Sequence, residues 1–315
     1  MNILLINQEC TKKVINMKKV LITGSSGFLG WNLCKLLKNT YKIEGLYYRQ
    51  NFEMADINWH RLNLLEGKEL TKLINTIKPD AILHAAAIAN PNFCEEHPAL
   101  THHINVYATV AIAESCKALN IPLLFTSTDL VFSGGSGDYS EDDFAHPLSK
   151  YGEQKLAAEE ILQDEFEKTL ICRLPLLFGS GPAYSNNFFS EWVSKMNSGT
   201  ELNVFSDEYR SALSVEWAAI GLKLALDYLL NGESPHKVKL LHLGGPERIS
   251  RFELAKLISK TLKLEKALIA PLLRAELPMP APRPEDVSLD SSLAKMILGF
   301  NPPALAIQLQ NSIYT

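Results

Sequence analysis

Lys19-Val20-Leu21-Ile22-Thr23-Gly24-Ser25-Ser26-Gly27-Phe28-Leu29-Gly30 is the stretch whose reading decides the fold. Its first five residues are an aliphatic and β-branched run ending at a glycine cluster, which predicts a buried strand. Phe28 to Lys38 follows with Leu29, Leu33, Leu36 and Leu37 at helical spacing. Between them, glycine permits a tight turn with positive φ, and its missing Cβ lets backbone amides approach a pyrophosphate. The N-terminus of the helix that follows favours the same negative charge. At a strand-to-helix turn this pattern points to dinucleotide binding, with Gly24, Ser26, Gly27, Phe28 and Leu29 as candidate contacts.

Working outward, the rhythm repeats. Tyr41 to Tyr48 and Ala81 to His84 predict strands, and Leu70 to Ile77 predicts a helix between them. Pro98 to Leu119 predicts a long helix, Leu123 to Thr126 a strand, Tyr151 to Glu167 an amphipathic helix and Thr169 to Leu174 a strand. Such alternation implies βαβ units and a doubly wound parallel sheet of the α/β (Rossmann) class, covered on both faces. After Phe178 the alternation breaks, with helices expected near 188–197, 215–230 and 251–262 and a proline-rich stretch from Pro271 to Pro284. The expected organisation is an N-terminal extension over 1–16, a dinucleotide-binding domain over 17–180 and a smaller mixed lobe for substrate over 181–315. Some segments of that lobe are expected to return to the first domain.

Composition narrows the function. The 315 residues are 46% hydrophobic and 21% charged with a formal charge of −4, an ordinary globular balance that predicts neither a nucleic-acid nor a membrane-surface partner. Five scattered cysteines (Cys10, Cys34, Cys94, Cys116, Cys172) without a CxxC pair suit reduced thiols in a cytoplasmic protein. No ligand cluster for a metal is visible. The longest stretch free of Asp, Glu, Lys and Arg, His97 to Ala113, is interrupted by histidines, Asn105 and threonines, so no membrane span is expected.

Two further features speak of chemistry. NAD-selective sites usually place a carboxylate at the end of the second strand for the ribose 2′-hydroxyl. Tyr47-Tyr48-Arg49-Gln50 stands there instead, with no acid before Glu53. Arg49 suits a 2′-phosphate, so NADP(H) is the expected preference, with NAD(H) as the other choice. Among ten tyrosines, Tyr151 alone has a lysine four residues on, Lys155, which puts both on one helical face. A free phenol titrates near pH 10, and an ammonium beside it favours the phenolate and lowers that value. A hydroxyl at the end of the preceding strand, Thr128, is placed to hold a carbonyl at a fixed angle to a hydride donor.

The glycine loop with GxxGxxG spacing, Thr128 and Tyr151-x-x-x-Lys155, in that order, resembles the extended short-chain dehydrogenase/reductase family from Met17 onward. The resemblance implies catalysis by Thr128, Tyr151 and Lys155, the last two also contacting cofactor. It makes Asn63-Leu64 the pair beside the adenine and Ala85-Ala86-Ala87 the strand end that passes the cofactor. Asn105-Val106-Tyr107-Ala108-Thr109 resembles a helix motif whose Asn is structural, and Arg173-Leu174-Pro175 with Phe178-Gly179 resembles the segment beside the nicotinamide. Extended members mostly act on nucleotide sugars. Arg210, five residues before Val215, and Arg283 resemble the family's pyrophosphate arginines, and Asn187 resembles a sugar or diphosphate contact, with Asn186 an equal candidate.

Within that family, the sugar-nucleotide dehydratases carry Thr-Asp-Glu where this chain has Thr128-Asp129-Leu130, and leucine transfers no proton. Ser127 to Gly134, Asp207 to Arg210 and Arg283-Pro284 instead resemble the dTDP-4-dehydrorhamnose reductases, with Leu130 in place of their tyrosine. The expectation is NADPH-dependent reduction of a 4-keto-6-deoxy sugar nucleotide in cell-surface sugar precursor synthesis. Two alternatives stay open: an epimerase of the same fold, and a cofactor-binding regulatory subunit resembling the β subunit of methionine adenosyltransferase. The resemblance also implies a homodimer through the two long helices.

Overall fold

The computed structural model describes residues 17–49, 54–185, 187–232 and 238–312. The extension expected over 1–16, and Glu53 and Asn186, lie outside the described residues. Seven strands form one parallel sheet: β1 (Lys19–Thr23), β2 (Lys42–Tyr47), β3 (Ile57–Arg61), β4 (Ala81–His84), β5 (Leu123–Thr128), β6 (Thr169–Leu174) and β7 (Leu240–His242). Their spatial order is β7-β6-β5-β4-β1-β2-β3. The chain therefore reverses direction between β1 and β4, and a crevice opens there beyond the carboxyl ends of the strands.

Both faces are covered, which is why β4, β5 and β6 are buried at every position. On one face α1 (Phe28–Leu37) packs beside the long helix Val215–Asn231, burying Leu33, Leu37, Leu222 and Leu226 against Val20, Ile22 and Leu83. On the other lie α2 (Gly67–Ile77), α3 (Ala108–Leu119) and α4 (Lys150–Glu165), with Leu70, Ile74, Ile112 and Leu162 closing over Leu21, Ile82 and Phe125. The second half of the chain thus supplies a sheet strand and a covering helix. Its remaining pieces include α5 (Phe188–Ser198) and the helix Arg251–Thr261. They build a separate core around Phe178, Trp192, Met196, Leu254 and Ile258.

Two strands escape the sequence reading for physical reasons. Ile57-Asn58-Trp59-His60-Arg61 is the edge strand, where polar and half-exposed residues replace an apolar run. β7 is three residues long and is defined only by its pairing with β6. The long helix expected from Pro98 is three pieces: Pro98–His102, a π-helical turn His103–Tyr107, and α3.

Candidate active site

The cofactor half of the crevice begins at the glycine loop. Gly24 has φ +70°, and a Cβ there would lie 2.8 Å from the backbone nitrogen and Cα of Ala86. The loop therefore lies directly against the end of β4. Ser25 is buried and fastens it to β2, its hydroxyl donating to the Leu46 carbonyl at 2.8 Å. α1 starts without a side-chain cap and without an acid in its first turn, so its leading amides face the crevice free for an anion.

A hydrogen-bonded chain fixes the opposite wall. Ala86 N–H donates to Thr23 Oγ1 (3.2 Å), and that hydroxyl is paired with His84 Nδ1 (2.6 Å). The other ring nitrogen, Nε2, faces Thr109 Oγ1 at 3.0 Å, and that hydroxyl in turn donates to the Asn105 carbonyl at 2.9 Å. Burial, helped by the charge of Lys155, pulls the His84 pKa down to about 3, so the imidazole stays neutral and each nitrogen keeps one role. Asn105, at the centre of the π-helical turn, accepts from Ile88 N–H (2.8 Å) and donates to Ile88 O (3.1 Å) and Gln154 Oε1 (2.8 Å). It thereby ties the cofactor wall to α4.

The crevice has two connected parts. One, of about 610 Å³, is lined by Gly24, Ser26, Gly27, Arg49, Asn63, Leu64 and Ala85 to Ala87. The other, of about 460 Å³, shares Gly24, Gly27, Ala85 and Ala87 with it and adds Phe28, Leu29, Thr128, Tyr151, Lys155, Arg210 and Arg283. The structure thus brings every candidate cofactor and catalytic residue to one crevice, and both arginines to its second part. Asn187 lines neither part. Its Oδ1 accepts from Ser190 N–H at 2.9 Å and its backbone takes part in the same capping box, so the structure assigns it to starting α5. The residues fit a dinucleotide: a glycine cradle that a Cβ would fill, uncapped amides for the diphosphate and the exposed Arg49 at the adenosine end.

α4 carries the candidate catalytic pair. Its buried face runs through Tyr151, Lys155, Ala158, Glu159 and Leu162, with the two candidates in its first half and apolar or ion-paired residues beyond. Gly152 makes the approach possible, because a Cβ there would stand 2.2 Å from the Leu130 carbonyl just after β5. The helix start is thereby pressed against the Thr128 loop. The Thr128 hydroxyl donates to Asp129 Oδ1 and accepts from Leu130 N–H, both at 3.2 Å. Thr128 also acts on the phenol of Tyr151, in the direction that lowers its pKa.

The electrostatics correct one expectation. The phenol of Tyr151 is not acidified: burial, then the charge of Asp129 and then Cys94, push it well above the ordinary tyrosine value. Lys155 is itself the perturbed partner. It is 2% exposed with Nζ 3.8 Å over the Phe125 ring, and burial lowers its pKa to about 7 against the pull of Glu159. At neutral pH this face holds a protonated phenol and a lysine poised between two charge states.

Three residues go beyond the sequence reading. Asp129 is buried, and burial lifts its carboxyl to about 6 against the nearby Arg210 guanidinium. Glu208 is 1% exposed and 3.0 Å from Arg210 Nη2. Arg251 opens a helix directly after its Ser250 cap, where sequence alone suggests a surface position. Of the segment expected beside the nicotinamide, Leu174 to Leu177 line the crevice. Arg173 turns away into a buried pair with Glu159 at 2.7 Å.

A Gly24→Ala substitution tests the loop. The forced left-handed φ costs ~1–2 kcal/mol and the contact with Ala86 adds to it. Affinity for NADPH is expected to fall by ~10–100-fold in a calorimetric titration, with the far-ultraviolet circular dichroism unchanged. An alanine variant that titrates like the wild type would remove the loop from the site.

The sheet order, the glycine loop at the reversal point and the Thr128, Tyr151, Lys155 set define a member of the short-chain dehydrogenase/reductase class, an NAD(P)-dependent oxidoreductase. More particularly, the chain belongs to the RmlD substrate binding domain family, whose model matches residues 17–315. It is 30% identical to methionine adenosyltransferase 2 subunit beta of Xenopus laevis over 291 residues, 91% of this chain and 84% of that one. With dTDP-4-dehydrorhamnose reductase of Aggregatibacter actinomycetemcomitans it shares 28% over 302 residues, 94% and 98% of the two chains. The solved structure of a hypothetical dTDP-4-dehydrorhamnose reductase from Sulfolobus tokodaii superposes with a TM-score of 0.79 at 29% identity, covering 92% of this chain and 98% of that one.

Proposed function

We propose that the protein reduces the 4-keto group of a 4-keto-6-deoxy sugar nucleotide with NADPH, as dTDP-4-dehydrorhamnose reductases do. The observation that carries this reading is the convergence, in one crevice, of the glycine cradle, the Thr128–Tyr151–Lys155 face, Arg210 and Arg283. Gly24, Ser26, Gly27, Phe28 and Leu29 would hold the cofactor's diphosphate, Asn63 and Leu64 the adenine, and Arg49 the 2′-phosphate. A reduced nicotinamide, when bound, supplies hydride to a carbonyl carbon. Thr128 holds the carbonyl oxygen and Tyr151 donates the proton that neutralises it. Lys155 anchors the ribose and returns a proton toward the phenol.

In this reading residues 17–180 are the cofactor domain and 181–315 the substrate lobe, with β7 and the helix Val215–Asn231 returned to the sheet. The protein works in the cytoplasm, as a homodimer through α4 and the helix ending at Leu119, on a small molecule rather than on nucleic acid or membrane. Among the described residues no helix is long and apolar enough to cross a bilayer, and none of their carboxylates, histidines and cysteines gather as a metal site.

The test is loss of NADPH absorbance on adding dTDP-4-dehydro-6-deoxy sugar. Oxidation of NADPH in step with substrate supports the reading, and Arg49→Ala is expected to raise KM for NADPH by ~10-fold while leaving NADH nearly unchanged. The identity with a methionine adenosyltransferase subunit favours a second reading, a regulatory subunit that keeps the cofactor site. Tight NADPH binding without turnover of any keto-sugar nucleotide would select it.

A further inference from the structure

The second part of the crevice holds three guanidiniums around one carboxylate. Glu208 Oε1 lies 3.0 Å from Arg210 Nη2 and 3.6 Å from Arg251 Nη1, and Oε2 lies 4.0 Å from Arg283 Nη1. All four residues line the crevice. Glu208 is almost wholly buried, and its backbone carbonyl accepts the Arg251 N–H at 3.0 Å, so side chain and main chain fix the two together. The Arg251 guanidinium is held from its other sides by the rings of Phe188 and Trp192, each 5.0 Å away.

Folding ordinarily satisfies buried polar atoms, and the exceptions ask for an explanation. Among the described residues, such atoms without a hydrogen-bond partner gather in this cluster: Glu208 Oε2, Arg283 Nε and Asp129 Oδ2. Asp129 Oδ2 is 3.8 Å from Arg210 Nε. Counted as charges, three guanidiniums face two carboxylates, which leaves an excess of one positive charge in a site whose Glu208, Arg210 and Asp129 are buried. Burial and the neighbouring Arg210 and Arg283 charges draw even the Arg251 guanidinium down to about 10, a crowding that an anion would relieve.

We infer that Arg251 is a third substrate-binding cation, and that Glu208 is a positioning residue which holds Arg210, Arg251 and Arg283 as one clamp for a diphosphate dianion. The inference rests on the sugar-nucleotide reading above and deepens it. A single arginine can fork onto one phosphate, whereas a diphosphate presents two groups of oxygens, and three guanidiniums gathered at one carboxylate span both. The unpartnered Arg283 Nε supplies a further donor. The unpartnered carboxylate oxygens call for hydroxyl donors, which a nucleotide sugar carries on either side of its diphosphate.

The clamp makes a prediction opposite in sign to simple charge counting. Removing a negative charge beside an anion site should tighten binding if Glu208 acts only through its field. If it positions the arginines, Glu208→Gln should loosen binding, because the guanidiniums repel one another and separate. The probes are dTDP and thymidine, titrated calorimetrically into the full-length protein already saturated with NADP⁺.

The wild type is expected to bind dTDP and to bind thymidine at least ~100-fold more weakly. Arg251→Gln should weaken dTDP by ~10–100-fold, Arg251→Lys by less, and Glu208→Gln by ~10-fold, all with NADP⁺ affinity unchanged as evidence of folding. If the wild type binds dTDP and Arg251→Gln binds it equally well, or Glu208→Gln binds it more tightly, the clamp is overturned and the sugar-nucleotide reading stands. If the wild type discriminates no diphosphate from its nucleoside, both fall.

Discussion

Replacing Tyr151 with phenylalanine is expected to lower kcat for the keto-sugar by ~10²–10⁴-fold, with NADPH still bound at near wild-type affinity. The side chain lines the crevice but is only 7% exposed, so the phenyl ring keeps the packing and only the proton donor is lost. Thr128 and Lys155 would remain, and with them binding and orientation of the carbonyl. The raised pKa of the phenol bears on direction. A group that must start each cycle protonated is well served by burial, which keeps it so throughout the neutral and alkaline range. Loss of the phenolic proton therefore should not limit reduction below the ordinary tyrosine value near pH 10. Single-turnover oxidation of NADPH gives the measurement, free of product release. A variant that turns over at the wild-type rate would take Tyr151 out of the mechanism and leave a crevice that binds without reacting.

The parts of this site that are legible in sequence are those where one residue type has a local geometric reason. Gly24 announces a left-handed backbone position between a strand and a helix, and Tyr151 with Lys155 announces a shared helical face. β1, β4, β5 and β6 read clearly because strands buried on both faces need continuous apolar runs. What stayed hidden depends on partners distant in the chain. Nothing near Glu208 says that it will be enclosed by Arg251 and Arg283, dozens of residues away. Nothing near His84 says that Thr23 and Thr109 will fix its tautomer. Asn187 shows the converse: an asparagine before a helix can satisfy the helix's own amides, and here its side chain does. The charge state of Lys155 was misread because spacing places a lysine beside a tyrosine but says nothing of the depth at which both lie.

That depth leads to the second large effect. Lys155→Met is expected to abolish most activity, by ~10²-fold or more, while making the protein more stable at neutral pH. The native state holds this lysine near pKa 7, against an ordinary value of 10.5. Between those two values the unfolded chain binds a proton that the folded chain does not, so stability rises with pH across the window. As pH falls through it the folded state loses ground, by about 1.4 kcal/mol for each unit, and below about 7 the full cost is present. Methionine has a similar length and no charge to bury, and it gives up the cation contact with the Phe125 ring and the attraction of Glu159. A net gain of ~2–3 kcal/mol near pH 7 follows, seen as a melting temperature higher by ~5 °C in scanning calorimetry. The gain should shrink as pH rises above 7 and vanish only beyond about 10.5, where the wild-type lysine is neutral in both states, and that pH dependence distinguishes relief of a buried charge from better packing. A variant less stable than the wild type at pH 6 would refute the account. If the gain is found, the lysine is kept against the interest of the fold, and the reason must lie in what an ammonium that readily gives up its proton does for a phenol that has just lost one.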